Sequence, residues 1–353
     1  MDFLTLIFMS IIKIKQKGGT GAELRKDIVG GSWVIMAPKR MKRHKKLSVC
    51  PFCHLEETGQ EKPVLEYRRS DGVWSLVVIP NKFPSLDSYE TLEQRQVGPF
   101  SVMNAAGFHE VIITHDHDRH IPSLSQDEVT EIISAYQDRY VSLMNKKFIN
   151  YISIFHNFGK KAGASIEHPH SQLMALTVVD PDIENSLAGS HRFYQKHKKC
   201  PHCTMLEWEL KEKERIVYEN KDFVVLVPFV SRVPSEVRIY PKDHKPYFER
   251  ISDSERRELA DALKNALTRI ELALDNIAFN YFIHTAPCDG KTYEHYHWHL
   301  EIDPKMTVEA GFEKGARMEI IPIFPKDAAK TLRDVDINSC VDNSVNQKKD
   351  GDE

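Results

Sequence analysis

The sequence predicts an α+β protein of two pseudo-repeated halves, each an antiparallel sheet with a long helix packed on it, and three observations carry that prediction. The first is a repeated ligand pattern. Cys50-Pro51-Phe52-Cys53, His117 and His168-Pro169-His170 are followed by Cys200-Pro201-His202-Cys203, His244 and His297-Trp298-His299. His168 lies 51 positions after His117, and His297 lies 53 after His244. The second is a pair of matching helix starts. Ser125-Gln126-Asp127-Glu128 and Ser252-Asp253-Ser254-Glu255 each set a hydroxyl three residues before a glutamate that can bond back to the cap N–H. The third is length, since 353 residues is long for one hydrophobic core and comfortable for two.

In chain order, residues 1–22 are expected to be an extension. The apolar run from Phe3 to Ile12 is too short to span a bilayer, Asp2 stands where a signal peptide carries positive charge, and no small-residue cleavage site follows. No stable membrane span is therefore expected. Residues 23–188 form the first half. Its helix carries the apolar stripe Val129, Ile132, Ile133, Tyr136, Tyr140, Leu143 and Met144, and a strand opens at Asn150-Tyr151. Residues 189–335 form the second half, with the stripe Leu259, Leu263, Leu267, Ile270 and Leu274 and a strand opening on the same dipeptide, Asn280-Tyr281. Residues 336–353 are polar and expected to be a disordered tail.

Composition narrows the function. A hydrophobic fraction of 41% with 28% charged residues is that of a soluble globular protein, and a net charge of −3 gives no global attraction for nucleic acid. Paired zinc knuckles that grip nucleic acid would need basic and aromatic residues spread over a face, so no nucleic-acid partner is expected. Of six cysteines, four lie in the two Cys-Xaa-Xaa-Cys pairs and two, Cys288 and Cys340, stand single. That usage fits zinc thiolates in a reducing compartment, the cytoplasm, better than a disulfide scaffold. The basic run from Lys39 to Lys46 is a solvated loop unless another feature assigns it work.

The chemistry concentrates between Asn157 and Gln172. A turn containing Gly163 and Ser165 offers backbone N–H groups and a hydroxyl to an anion. In a strand, His168, His170 and Gln172 project to one face, and Pro169 marks an edge or a strand entry. One histidine can hold zinc while the other, neutral, attacks phosphorus.

At this point the chain resembles a known family. The stretch Glu23 to Arg43, Asn81-Lys82-Phe83-Pro84, Ala162-Gly163-Ala164-Ser165 and His168-Pro169-His170-Ser171-Gln172 look like galactose-1-phosphate uridylyltransferase, in the transferase branch of the histidine-triad superfamily. The likeness covers nearly all of residues 23–335. It implies two histidine-triad-like halves, a homodimer, and a UDP-glucose–hexose-1-phosphate uridylyltransferase of galactose metabolism acting on nucleotide-sugar and hexose 1-phosphate substrates. By the same resemblance His170 is the nucleophile that forms a uridylyl intermediate, and Gln172 bonds a phosphoryl oxygen. Gly163 and Ser165 line the phosphates, Asn157 contacts nucleotide or phosphate, Asn81 and Phe83 hold the uridine, and Arg40 and Arg43 approach the diphosphate. Zinc is implied at Cys50, Cys53, His117 and His168, and at Cys200, Cys203, His244 and His297. These sets are closed and therefore structural.

Within the repeat, His299 matches His170 but Glu301 stands where the first half has Gln172, so the second half is expected to keep the fold without the active site. The chain departs from the family in two places: Ser171 stands where many members have glycine, and no tyrosine–glutamate pair for the hexose is evident. An adenylyl-transferring branch, ADP-glucose phosphorylase, shares the motif pattern and remains an alternative, as does a histidine-triad hydrolase.

Overall fold

The computed structural model describes residues 21–44 and 49–337. The apolar run near the N-terminus, Lys45 and Lys46 of the basic run, and the tail from 338 onward lie outside the described residues.

The chain is α+β, and the two halves share one sheet. In the first half β3 (Leu65–Arg68), β4 (Trp74–Pro80), β7 (Gly107–Thr114), β8 (Tyr151–Phe158) and β9 (His170–Leu176) lie in the order β3-β4-β7-β9-β8. In the second half β10 (Ile216–Glu219), β11 (Phe223–Leu226), β12 (Val237–Pro241), β13 (Phe279–His284) and β14 (His299–Pro304) lie in the order β10-β11-β12-β14-β13. The second half thus repeats the first, and the antiparallel pair β8–β13 joins them into a ten-stranded sheet. A separate four-stranded antiparallel sheet, β2-β1-β6-β5, is made by β1 (Glu23–Lys26), β2 (Trp33–Met36), β5 (Gln94–Val97) and β6 (Phe100–Asn104). It has no counterpart in the second half.

One face of the large sheet is covered by α1 (Gln126–Met144) and α4 (Asp253–Ala273), both opened by the expected reciprocal capping box. Their stripes bury Val129, Ile132, Ile133, Tyr136, Tyr140 and Leu143 from α1 and Leu259, Leu263, Leu267 and Ile270 from α4. Met144 and Leu274, at the two helix ends, are only partly buried. Strand alternation sends Ile152, Ile154, Leu173, Tyr281, Ile283, Leu300 and Ile302 into the same continuous core. The two helices are also tied to each other, since Gln126 Nε2 donates to Arg257 O and Arg256 donates to Gln137 Oε1.

Register corrects one expectation. Phe155 lies opposite Gln172, and Phe282 lies opposite Glu301, so Phe155 and Phe282 are equivalent positions. Counting back two residues, Asn280 matches Ser153 and not Asn150. The shared Asn-Tyr dipeptide is coincidental, because the two asparagines do different work. Asn150 closes the strand end by donating to Thr177 O, whereas Asn280 sits inside β13 opposite Asn157.

The opposite face of the sheet is partly covered by α2 (Pro181–His197), which links the halves and buries Ile183 and Leu187 against Tyr151 and Tyr296. What remains open is a cleft of about 550 Å³ along the β8–β13 seam, lined by Phe155, Asn157, Asn280, Phe282, His284 and Asp303 among others. The second Cys-Xaa-Xaa-Cys opens a helix, α3 (Pro201–Glu212), while the first lies in a run of turns. Two short helices, α5 (Gly311–Ala316) and α6 (Pro325–Arg333), are the last elements among the described residues.

Candidate active site and metal centres

Pro169 ends the loop between β8 and β9, and His170 is the first residue of β9, so the proline occupies a strand entry. His170 and Gln172 project to the cleft side of the sheet, while Ser171 between them points into the helix-side core. All three are buried. The His170 Nδ1 lies 2.8 Å from His168 O. A carbonyl only accepts, so Nδ1 carries the proton and Nε2 keeps the lone pair.

Phe52, inside the first Cys-Xaa-Xaa-Cys, packs edge-on against the His170 ring with centroids 5.0 Å apart. The first cysteine pair is therefore in mechanical contact with the candidate nucleophile.

Four ligand atoms from Cys50, Cys53, His117 and His168 lie within 4.8 Å of one another, and those from Cys200, Cys203, His244 and His297 do the same. The donor chemistry fits a tetrahedral metal. In the first group His168 turns Nδ1 toward the sulfurs of Cys50 and Cys53, at 3.7 and 3.5 Å, while its Nε2–H donates to Thr114 O at 2.7 Å. A backbone carbonyl fixing the far nitrogen is the usual support for a ligating histidine. Burial also favours the neutral, ligand-competent His168 ring. In the second group His244 donates from Nε2 to Glu294 O at 3.0 Å and sets Nδ1 3.2 Å from the Cys203 sulfur. The buried His297 Nε2 has no such acceptor. Hydrogen bonding from Cys203, then from His244 and His297, holds the Cys200 thiol down at about 2, and Cys203 is pushed up by the same shared proton.

The expected phosphate loop follows β8. Gly163, at φ +87°, closes a 3₁₀ turn over Lys160–Ala162 in a left-handed conformation that favours glycine. Asn280 of the second half clamps this loop, donating from Nδ2 to Asn157 Oδ1 at 2.7 Å and to Ala162 O at 2.8 Å. Ser165 lies in the bend beyond Gly163.

Asn81 and Phe83 follow the end of β4. The Phe83 N–H donates to Asn81 Oδ1 at 2.9 Å, and the Asn81 N–H donates to His109 O. Arg40 reaches the same loop, donating to Phe83 O at 3.3 Å and Ser85 Oγ at 3.1 Å. Arg43 lies on the same 3₁₀ turn, Pro38–His44, with its side chain outside the described residues.

The fold therefore gathers Arg40, Asn81, Phe83, Asn157, Gly163, His170 and Gln172 around β8, β9 and the segments beside them. Sequence reasoning missed His109, Asn280 and Phe155. His109 belongs to no motif, and Asn280 became visible only when the β8–β13 register set it opposite Asn157.

The chain is similar to known proteins over most of its length. The family described as "Domain of unknown function (DUF4921)" matches residues 81–342. The chain is 35% identical to an ADP-glucose phosphorylase of Arabidopsis thaliana, over 89% of this chain and 93% of that protein. It is 32% identical to a galactose-1-phosphate uridylyltransferase of Thermotoga maritima, over 89% of this chain and 99% of that one. Among solved structures, a uridylyltransferase aligns with a TM-score of 0.79 at 30% identity, covering 90% of this chain and 99% of that one. The Arabidopsis ADP-glucose phosphorylase with bound ADP-glucose aligns with a TM-score of 0.72 at 34% identity, covering 90% and 100%. No helix among the described residues is long and apolar enough to cross a membrane. The chain belongs to the galactose-1-phosphate uridylyltransferase family and is a nucleotidyltransferase.

Proposed function

We propose that the chain moves a uridylyl group from UDP-glucose to galactose 1-phosphate through a covalent uridylyl-His170 intermediate, in galactose metabolism. The observation that carries this reading is the Nδ1–H···O bond from His170 to His168 O, which makes Nε2 the nitrogen that carries the lone pair whenever the imidazole is neutral. Nε2 attacks the α-phosphorus and the bond to the glucose 1-phosphate oxygen breaks. In the second half-reaction the phosphate of galactose 1-phosphate displaces Nε2 and takes the uridylyl group. Dividing the transfer in two makes each displacement easier than a single direct one.

Gln172, two residues along the same strand face, donates to a nonbridging phosphoryl oxygen without bringing a charge that would repel it. Gly163, Ser165 and Asn157 line the phosphates, Asn81 and Phe83 hold the nucleoside, and Arg40 and Arg43 neutralise the diphosphate. The cleft along the β8–β13 seam, which shares Asn157 with this set, has at about 550 Å³ the volume of a nucleotide-sized ligand site.

Cys50, Cys53, His117 and His168 would hold one zinc ion, and Cys200, Cys203, His244 and His297 a second. Bound zinc supplies structural cross-linking and no open coordination position. On this reading residues 23–188 are the catalytic half, residues 189–335 retain the fold without the chemistry, and the enzyme works in the cytoplasm. A homodimer is supported by the exposed apolar side chains of Val308, Phe312, Met318, Ile320 and Phe324, which a second copy would cover.

A second reading, adenylyl transfer from ADP-glucose to phosphate, is favoured by the 35% identity to an ADP-glucose phosphorylase. One experiment separates the two. The protein is incubated with UDP-glucose or ADP-glucose labelled in the α-phosphate, and protein-bound label is measured after quenching. Label from UDP-glucose, chased by galactose 1-phosphate, is the expected result. Label from ADP-glucose alone, chased by phosphate, keeps the mechanism and replaces the substrates. Turnover with neither donor leaving label on the protein overturns the covalent step.

A further inference from the structure

We propose that His109 is a positioning residue that sets the orientation of the Gln172 amide. His109 is buried in β7, two residues before Val111, which pairs with Gln172. The Ser85 backbone N–H donates to His109 Nδ1 at 3.2 Å. A backbone N–H can only donate, so Nδ1 is the acceptor and the proton of the neutral ring sits on Nε2. That Nε2–H lies 3.0 Å from Gln172 Oε1 and donates to it.

The amide sense of Gln172 follows, with its oxygen held by His109 and its NH₂ group left as the donating end. The Asn81 amide is fixed separately, because the Phe83 N–H claims its oxygen at 2.9 Å; its Nδ2 lies 3.2 Å from His109 Nε2, a donor beside a donor, and forms no bond there. Two backbone N–H groups of one loop thus determine the direction of both amides, Ser85 that of Gln172 through the imidazole and Phe83 that of Asn81 directly. A glutamine free to flip would present its oxygen to an anionic phosphoryl group in half of its orientations. Removing that alternative is what His109 contributes.

The second half supports this assignment by its contrast. The position equivalent to His109 is Glu236, and the position equivalent to Gln172 is Glu301. Arg238, in the place of Val111, bridges the two carboxylates at 2.7 and 3.0 Å. Where the amide is gone, the imidazole is gone as well.

The inference rests on the nucleotidyl-transfer reading, and the test separates the two. His109→Met and His109→Gln have similar size, but only glutamine can both accept from the Ser85 N–H and donate to Gln172 Oε1. Rates of protein labelling by the α-phosphate-labelled nucleotide sugar are measured for wild type, both variants, Gln172→Ala and the double variant His109→Met/Gln172→Ala. His109→Met is expected to slow labelling by about tenfold to a hundredfold with little change in donor KM, and His109→Gln to recover most of the rate. In the double variant the His109 change is expected to add nothing further, since its effect passes through the missing amide. Equal rates for wild type and His109→Met overturn the proposal. So does a His109→Gln rate as low as that of Gln172→Ala, which also decides the matter if His109→Met does not fold, and so does full additivity in the double variant. Absence of labelling in wild type strikes the functional reading instead; the orientation is then judged by the side-chain NH₂ signals of Gln172 in 15N-edited NMR spectra, which His109→Met must shift or double and His109→Gln restore.

Discussion

The two halves place the same strands in the same register and use them for opposite purposes. In the first half, His170, Gln172 and His109 form a set without carboxylates whose hydrogen-bond directions are imposed by carbonyl and N–H groups of the backbone. On the second-half side, His299 keeps the corresponding bond to His297 O at 3.2 Å, but Glu301, Arg238 and Glu236 form a buried ion cluster whose members satisfy one another. Burial raises both carboxylates, Glu301 and Glu236, and Tyr240 together with the two neighbouring acids raises the Arg238 guanidinium against its own desolvation. A site without carboxylates can take up the charge of a phosphoryl group, whereas the second site already holds its own charge and presents carboxylates to an anion. The difference teaches that the repeat preserves the helix-side core, where shape and apolar volume decide, and lets the cleft side diverge. The second half still contributes to the first through Asn280 and Tyr281. The Tyr281 hydroxyl lies 2.6 Å from that of Tyr136, which itself bonds Ser171.

The sharpest way to break this comparison is to remove each equivalent histidine. His170→Ala is expected to lower nucleotidyl transfer at least about a thousandfold with metal content unchanged, while His299→Ala leaves the transfer rate close to wild type. Steady-state rates with elemental analysis on the same samples check both halves of that statement. A large loss of rate from His299→Ala would mean that the second site takes part in the chemistry.

The two cysteine pairs sharpen it next. Cys50→Ser and Cys200→Ser are each expected to lower bound zinc by one equivalent and to lower Tm, because a metal that binds only the folded chain contributes to folding. They should differ in activity. Cys50→Ser releases the turn that carries Phe52 against His170 and slows transfer more than Cys200→Ser does, at matched temperature below both transitions.

The smallest effect concerns Asp303, which occupies the position of Met174 in the repeat. Burial, followed by repulsion from Glu301 and Glu236, pushes its carboxyl up to about 7. Between the ordinary aspartate range and that value, the folded protein holds a proton that the unfolded chain has released. Stability therefore falls as pH rises through this window. Asp303→Asn is expected to flatten that dependence and to stabilise the protein by about 2 kcal/mol at pH 8, with little change at pH 4, as read from urea midpoints. An unchanged slope between pH 4 and 8 would show that the second-half acids do not repel Asp303 as described.

The sequence by itself determined the duplication, the composition of both metal ligand sets, the two capped helices and the segment from Asn157 to Gln172. These are local patterns, and each residue type carries its chemistry whatever surrounds it. Ser125 and Glu128 need only each other to cap a helix, and two cysteines three positions apart already share a turn. The tertiary structure alone decided which atoms meet across the sheet. Nothing local in His109 distinguishes it from an ordinary buried histidine until β7 lies beside β9 and Ser85 turns its N–H onto the ring. The clamp from Asn280, the mismatch between Asn150 and Asn280, and the Glu–Arg–Glu cluster likewise depend on strand register. Register is fixed by which face of each strand is buried, and a shift of one residue would turn every one of these side chains to the other face.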